Sequence, residues 1–295
     1  MSKRYKRILV ICLALLLCFL LIWIFTNDTL QPALSPSDVV LNIIINNVGQ
    51  GDSILVTLGD ETMLIDAAEK HKSDEVLDEL KKHAVDDIDI LVATHPHSDH
   101  IGGLKAVIDN YSIGSVYIAD TPSKTKTFSE LMDTINEKDI PVYEACAGVT
   151  FSLGDASCTI VSPERTADYD TNNESVVIFL DYGDTEFLFT GDMEQKAEEA
   201  LIASGYYIDA DVLKVAHHGS STGTSEAFLN AVSPDCAAIS CGEGNSYKHP
   251  HDKTLDLLDR YGVKTYRTDI LGDITFVSDG HSISVVTDKN ASDRS

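Results

Sequence analysis

From Ile8 to Phe25 the chain reads as an unbroken apolar run, ILVICLALLLCFLLIWIF, and no later segment matches its length. At 1.5 Å per residue the run makes about 27 Å of helix, enough to cross a hydrocarbon layer of about 30 Å. Lys3, Arg4, Lys6 and Arg7 precede it without an acidic residue, so the positive-inside rule places the N-terminus in the cytoplasm and the remainder outside. A cleaved signal has a shorter apolar region, roughly 7 to 15 residues, and a small-residue cleavage site; here the run ends in Trp23-Ile24-Phe25. The expectation is an uncleaved single-pass anchor. It divides the chain into a stub at 1–7, a transmembrane helix at 8–25, a Pro/Ser-bearing linker at 26–37, one large domain at 38–287 and a polar, frayed tail at 288–295.

Past the linker the pattern alternates. Apolar runs at Val39–Asn46, Ser53–Leu58 and Thr62–Asp66 predict strands separated by Gly-Asp turns. Ser73–His83 carries Val76, Leu77 and Leu80 on one helical face, and Ile88–Thr94 is apolar enough for a strand buried on both sides. A helix at Gly103–Asn110 and a strand at Ser115–Ala119 follow. Further on, strands are expected at Thr159–Ser162, Ser175–Tyr182, Glu186–Thr190, Asp211–Ala216, Cys236–Ser240, Ile274–Val277 and Ser282–Val286. Helices are expected at Glu194–Ser204, Ser225–Ala231 and Asp252–Tyr261. Two comparable halves of mixed strand and helix predict an α/β sandwich.

Composition narrows the class. With 43% hydrophobic residues, 295 residues can bury a core, which excludes a wholly disordered chain, and one long apolar run excludes a polytopic channel. Cys146, Cys158, Cys236 and Cys241 form no CxxC pair and read as buried thiols or, in an exported domain, an oxidised pair. The formal charge is −25; residues 1–27 carry four basic side chains and no acid, leaving −29 beyond them. So acidic a domain does not grip nucleic acid by a broad basic surface.

The densest chemistry is His95-Pro96-His97-Ser98-Asp99-His100, directly after the buried strand and before Ile101-Gly102-Gly103. Three imidazoles and a carboxylate in six residues would be costly to bury unpaired, and together they suit zinc, manganese or iron. Asp192 ends the apolar run FLFTGD; taken alone it reads first as the N-cap of the helix near Glu194, a common role for Asp. His217-His218 ends another apolar run. Strand alternation there predicts rings on opposite sides, so that one of the two, His218 by preference, meets a metal.

THPHSDHIGGL (94–104) resembles the HxHxDH signature of the metallo-β-lactamase superfamily. NVGQGDSILV (47–56), MLIDA (63–67), NNESVVIFLDYG (172–183), FLFTGD (187–192), DVLKVAHHGSSTGTS (211–225) and YKHPH (247–251) resemble, in order, the hydrolase domain of the ComEC competence family. The resemblance implies an αββα sandwich following the transmembrane helix, with two divalent metal ions, zinc or manganese, at the sheet edges. It implies His95 and His97 on the first metal, Asp99, His100 and His218 (or His217) on the second, and Asp192 bridging. No His occurs from residue 101 to 216, so the further first-site His of many superfamily members is missing, which weighs against β-lactam hydrolysis.

Two cations sharing a carboxylate would activate a water for hydrolysis. Asp99 would orient it, and His249 would donate a proton or contact phosphate. His217, Ser220 and Asn173 would face substrate, and Asp66 would hold the metal loop. The expected activity is a phosphodiesterase or nuclease outside the membrane, with a phosphodiester such as DNA as substrate. The alternatives are an esterase for cell-surface phosphocholine or teichoic-type phosphodiesters, and a non-catalytic metal-binding scaffold.

Overall fold

The computed structural model describes residues 39–121, 123–165 and 171–289. The anchor expected at 8–25 and the linker at 26–37 lie outside the described residues. Among those described, no helix is long and apolar enough to cross a membrane.

The first sheet takes β1 (Leu41–Ile45), β2 (Ile54–Leu58), β3 (Glu61–Ile65), β4 (Ile88–Ala93), β5 (Ile113–Ile118) and β6 (Val142–Glu144). The C-terminal strands β14 (Ile274–Ser278) and β15 (Ile283–Thr287) complete it in the order β15-β14-β1-β2-β3-β4-β5-β6. The second contains β7 (Thr150–Leu153), β8 (Ala156–Ser162), β9 (Val177–Tyr182), β10 (Thr185–Phe189), β11 (Val212–Lys214), β12 (Cys236–Ile239) and β13 (Lys264–Arg267), in descending order from β13 to β7. Each sheet is mixed: β3 to β6 run parallel, as do β10 to β13. Chain return in the parallel halves needs crossovers. These are α1 (Ser73–Lys82), α2 (Ser98–Ile101), α3 (Leu104–Asn110) and α4 (Lys126–Glu137) in the first half. In the second they are α5 (Gln195–Ser204), α6 (Glu226–Val232) and α7 (Asp252–Arg260), and short α8 (Thr268–Leu271) links β13 to β14.

Alternation along the strands explains why they read as continuous apolar runs. On β1, Ile44 packs in a helix-side cluster with Val76, Leu80 and Leu104, while Leu41, Ile43 and Ile45, also buried, point to the other face. On β10, Leu188 joins Leu213, Phe228 and Leu258, while Phe187 and Phe189 are buried on the opposite face. Strands covered on both faces have no polar side to show. The result is a two-sheet α/β sandwich with helices outside.

Several elements were not anticipated between 120 and 158, chiefly α4, β6 and β7. The signal for α4 was present: Thr125 caps it, accepting from Phe128 N at 3.3 Å, and Leu131 and Ile135 are buried one turn apart. β6 is wholly exposed and β13 half-buried, so neither shows an apolar run. The strand expected to reach Ala216 stops at Lys214. Asp288 and Lys289, expected to fray, bond back to Asp273 and Leu271 through their amides at 3.2 and 2.9 Å. The four described cysteines are free thiols.

Candidate metal centre

The site lies where β4, β10, β11 and β12 end, each releasing a loop at its C-terminal edge. After β4, Thr94 to His100 turn back over β3. Asp66, at the end of β3, accepts from Thr94 N at 2.9 Å, Thr94 Oγ1 at 2.6 Å and His100 Nδ1 at 2.7 Å. That bond fixes the His100 tautomer, leaving Nε2 turned inward. Gly51 sits so close to this loop, with φ of 127°, that a Cβ would overlap the Asp99 carbonyl. Glycine is needed there on both counts.

After β11 the backbone does not continue as strand. His217 and His218 have φ of 48° and 55°, left-handed values that cost non-glycine residues on the order of 1 kcal/mol each. This corrects the expectation of rings on opposite sides: the turn brings both Nε2 atoms near Asp192, at 3.6 Å for His217 and 3.5 Å for His218. His218 is buried, and its Nδ1 donates to Ser240 O at 3.0 Å. His217 is partly exposed, and its Nδ1 lies 3.1 Å from Glu194 Oε1.

Asp192 is the centre of the arrangement. Its Oδ1 is 3.2 Å from His100 Nε2, and its Oδ2 is 3.8 Å from His95 Nε2. It does not cap the following helix. Asn173 does, its Oδ1 accepting from Glu194 N at 3.2 Å and Ala197 N at 3.1 Å, which frees the Asp192 carboxylate. Asn173 is therefore a buried cap rather than a residue facing substrate. Ser220 is buried, its hydroxyl 2.8 Å from Thr222 Oγ1, which in turn lies 2.8 Å from Glu194 Oε1. Asn173→Ala is expected to lower stability by about 1–2 kcal/mol, the range for a lost helix cap. Metal stoichiometry should be unchanged; melting curves and metal analysis check both.

Two groups of ligand atoms lie within 4.8 Å of one another and share Asp192: Asp99, His100, Asp192 and His218; and His95, His97 and Asp192. His100 Nε2, His218 Nε2 and Asp192 Oδ1 are buried with no hydrogen-bond partner. Buried polar atoms rarely go unsatisfied, and three converging ones answer to a cation. The residues present therefore suit a pair of divalent ions. A third group, Asp52, Asp66 and His100, is as close, but Lys214 Nζ already stands 2.9 Å from Asp52 Oδ2 and supplies the positive charge there.

Without metal, protons take the cations' place. Burial pushes the His218 ring down, but Asp192, Asp52 and Asp99 outweigh it and lift its pKa from 6.5 to about 9. His100 is raised in the same sense by Asp192 and Asp66 against its burial. A pKa raised by folding stabilises below the unfolded value and ceases to do so above the folded one. The metal-free protein is thus expected to lose thermal stability as pH climbs from about 6.5 to about 9, as the His218 proton is given up. Metal uptake at pH 7.5 should release protons, and calorimetry in buffers of different ionisation enthalpy reads this directly.

The opening is a pocket of about 280 Å³ bordered by Gln50, His97, Asp99, His217, Tyr247 and His249. Burial and then the neighbouring His218, His217 and His251 push His249 down to about 4. At that value the ring is uncharged at pH 7 and offers hydrogen bonds to the pocket. Asp99 faces the pocket with its side chain 25% exposed, which leaves it accessible to a water.

Asp52 and Lys214 were not anticipated. Lys214 is fully buried and also donates to Val215 O at 3.1 Å. Asp52 Oδ1 lies 3.5 Å from His218 Nδ1, so the pair stands directly behind a ligand. The signal was a lone lysine inside the apolar run DVLKVA.

Comparison with known proteins agrees with this geometry. The chain is 31% identical over 197 residues to ComE operon protein 3 of Bacillus subtilis (strain 168), covering 67% of this chain and 25% of that protein. It is 32% identical over 241 residues to competence protein ComA of Neisseria gonorrhoeae, covering 79% and 32%. The chain thus spans a quarter to a third of the length of these relatives. The crystal structure of the metallo-beta-lactamase fold protein YhfI from Bacillus subtilis superposes with a TM-score of 0.56 at 13% identity, covering 82% of this chain and 100% of that one. Residues 46–243 match the family described as the metallo-beta-lactamase superfamily, and they include every ligand candidate named above. The chain belongs to the metallo-beta-lactamase superfamily and resembles the ComEC-like competence hydrolase domain within it.

Proposed function

We propose that the protein is a metal-dependent phosphodiesterase acting on nucleic acid, tethered by residues 8–25 with the domain outside the membrane. The observation that carries the reading is the pair of ligand groups sharing Asp192 at the floor of an open pocket. Similarity to proteins named for competence favours a nucleic-acid substrate over another phosphodiester.

Two divalent cations, zinc or manganese, held by His95, His97 and Asp192 and by Asp99, His100, Asp192 and His218, would supply a water nucleophile at neutral pH and neutralise charge on the phosphoryl group. The protein's own groups do the rest. Asp99 accepts a hydrogen bond from the attacking water and aims it. Glu194 holds His217 by Nδ1 and turns its Nε2 to the pocket, where it can bind a phosphoryl oxygen. Neutral His249, its ring 5.5 Å from that of His217, and Gln50, 3.5 Å from it, add hydrogen bonds beside His217. The acidic exterior works against tight, processive binding and makes the activity sensitive to salt and divalent ions.

The test is metal analysis of the purified full chain together with hydrolysis of single-stranded DNA, duplex DNA and a small aryl phosphodiester in manganese or zinc. Cleavage of DNA is expected. Two bound metals with no hydrolysis of any phosphodiester would sink the reading, and cleavage of the small ester alone would sink its nucleic-acid part.

A further inference from the structure

The pocket's outer wall is built differently from its floor. Tyr247 borders the opening yet is 63% exposed, among the most exposed large hydrophobic residues described. One face of its ring lies over His249, with centroids 5.7 Å apart and planes 23° from parallel. The loop beneath is pinned by a single side chain. Asn245 donates through Nδ2 to Gly242 O at 2.8 Å and His249 O at 2.6 Å, and accepts from His249 N at 3.0 Å. Its carbonyl accepts from Lys248 N at 3.1 Å. An aromatic ring held this way loses little entropy when something stacks on it.

This wall also carries cationic side chains. Several described lysines are matched to acids, among them Lys70, Lys72, Lys82 and Lys105. Lys248 and Lys253 are exposed and make no ion pair among the described residues. Lys253 reaches Ser221 O, 3.5 Å away, across the segment that follows His218. Within residues 247–253 the exposed ring of Tyr247 borders the metal pocket, and the same segment carries two exposed lysines without an ion pair among the described residues and one carboxylate, Asp252.

We propose that residues 247–253 form a binding ledge for single-stranded nucleic acid, with an unpaired base stacked on Tyr247 and neighbouring phosphates on Lys248 and Lys253. This rests on the phosphodiesterase reading and names its substrate class. A pocket of about 280 Å³ houses the phosphate and sugar, and leaves the base on the rim where the ring stands. Base–aromatic stacking is insensitive to sequence because every base has a π-face. In a duplex those faces are already covered, so the ledge selects unpaired strands. A quaternary ammonium such as choline also binds aromatic rings, but Lys248 and Lys253 on the same segment disfavour a cation.

The test uses the full chain in EDTA, so that nothing is cleaved, with twelve-residue thymidylate and an abasic strand of equal length and charge. Wild type is expected to prefer thymidylate by about 5- to 100-fold, the range for one base on one ring. Tyr247→Ala should bring the preference to within about twofold and Tyr247→Trp should keep it. Replacing Lys248 and Lys253 with Gln should reduce the slope of log affinity against log salt by about 1.4. Equal binding of both strands by wild type, or an undiminished preference in Tyr247→Ala, would overturn the ledge, as would choline binding that depends on Tyr247. Cleavage of the abasic strand in manganese separates the two failures. If the strand is cut but no preference exists, only the ledge fails. If no phosphodiester is cut but the preference holds, the ledge stands and the nuclease reading fails.

Discussion

Asp192→Asn is expected to abolish paired metal binding and to lower hydrolysis by at least about 10³-fold, since among the described residues no other carboxylate belongs to both ligand groups. The substitution keeps the side-chain volume and removes the charge. Oδ1 faces His100 Nε2 at 3.2 Å and His218 Nε2 at 3.5 Å, while Oδ2 faces His95 and His217. A neutral amide cannot balance two divalent ions across that span. A second readout does not involve turnover. Asp192 is the largest charge lifting the His100 and His218 pKa values against burial, so the variant's metal-free form should lose much of its stability change between about pH 6.5 and 9. Metal analysis and pH-dependent melts check both halves. A variant that still bound two metals would refute Asp192 as the bridge.

Lys214→Met should be the most destabilising single change, by about 3–5 kcal/mol, because it strands the Asp52 carboxylate in the interior. Both side chains are 1% exposed and 2.9 Å apart. Burial raises the Asp52 pKa, but Lys214 and His218 outweigh it and hold the group ionised. Pairing Lys214→Met with Asp52→Leu replaces the ion pair with apolar volume and should recover most of the loss. Affinity for the second metal should stay about 10- to 100-fold low, since the charge behind His218 is gone. Denaturant titrations and metal titrations separate these effects. Melting of Lys214→Met close to wild type would show that the pair contributes little.

The candidate ligands were legible because their signals are local. An apolar strand followed by HPHSDH or by FLFTGD places polar groups at a strand end whatever the rest of the chain does. What escaped had no local signature. Asn173 caps a helix 22 residues further on, and nothing near NNES distinguishes a distant cap from a substrate contact. Ser220 is buried and bonds within its own turn, to Thr222, which HHGSSTG alone does not show. The geometry of His217 and His218 depended on two left-handed residues that an alternation rule cannot foresee.

By itself the sequence determined the two-sheet class, since strands buried on both faces must be apolar throughout, and it determined which side chains could bind metal, since only those types have the chemistry. The tertiary structure decided their grouping. Asp192 meets histidines from two other loops, and Asp52 meets Lys214 across 162 positions only because β2 begins at the edge where β4, β10 and β11 end. Long-range electrostatic partners and hydrogen-bond roles are set by distance in space, which the order of residues does not contain.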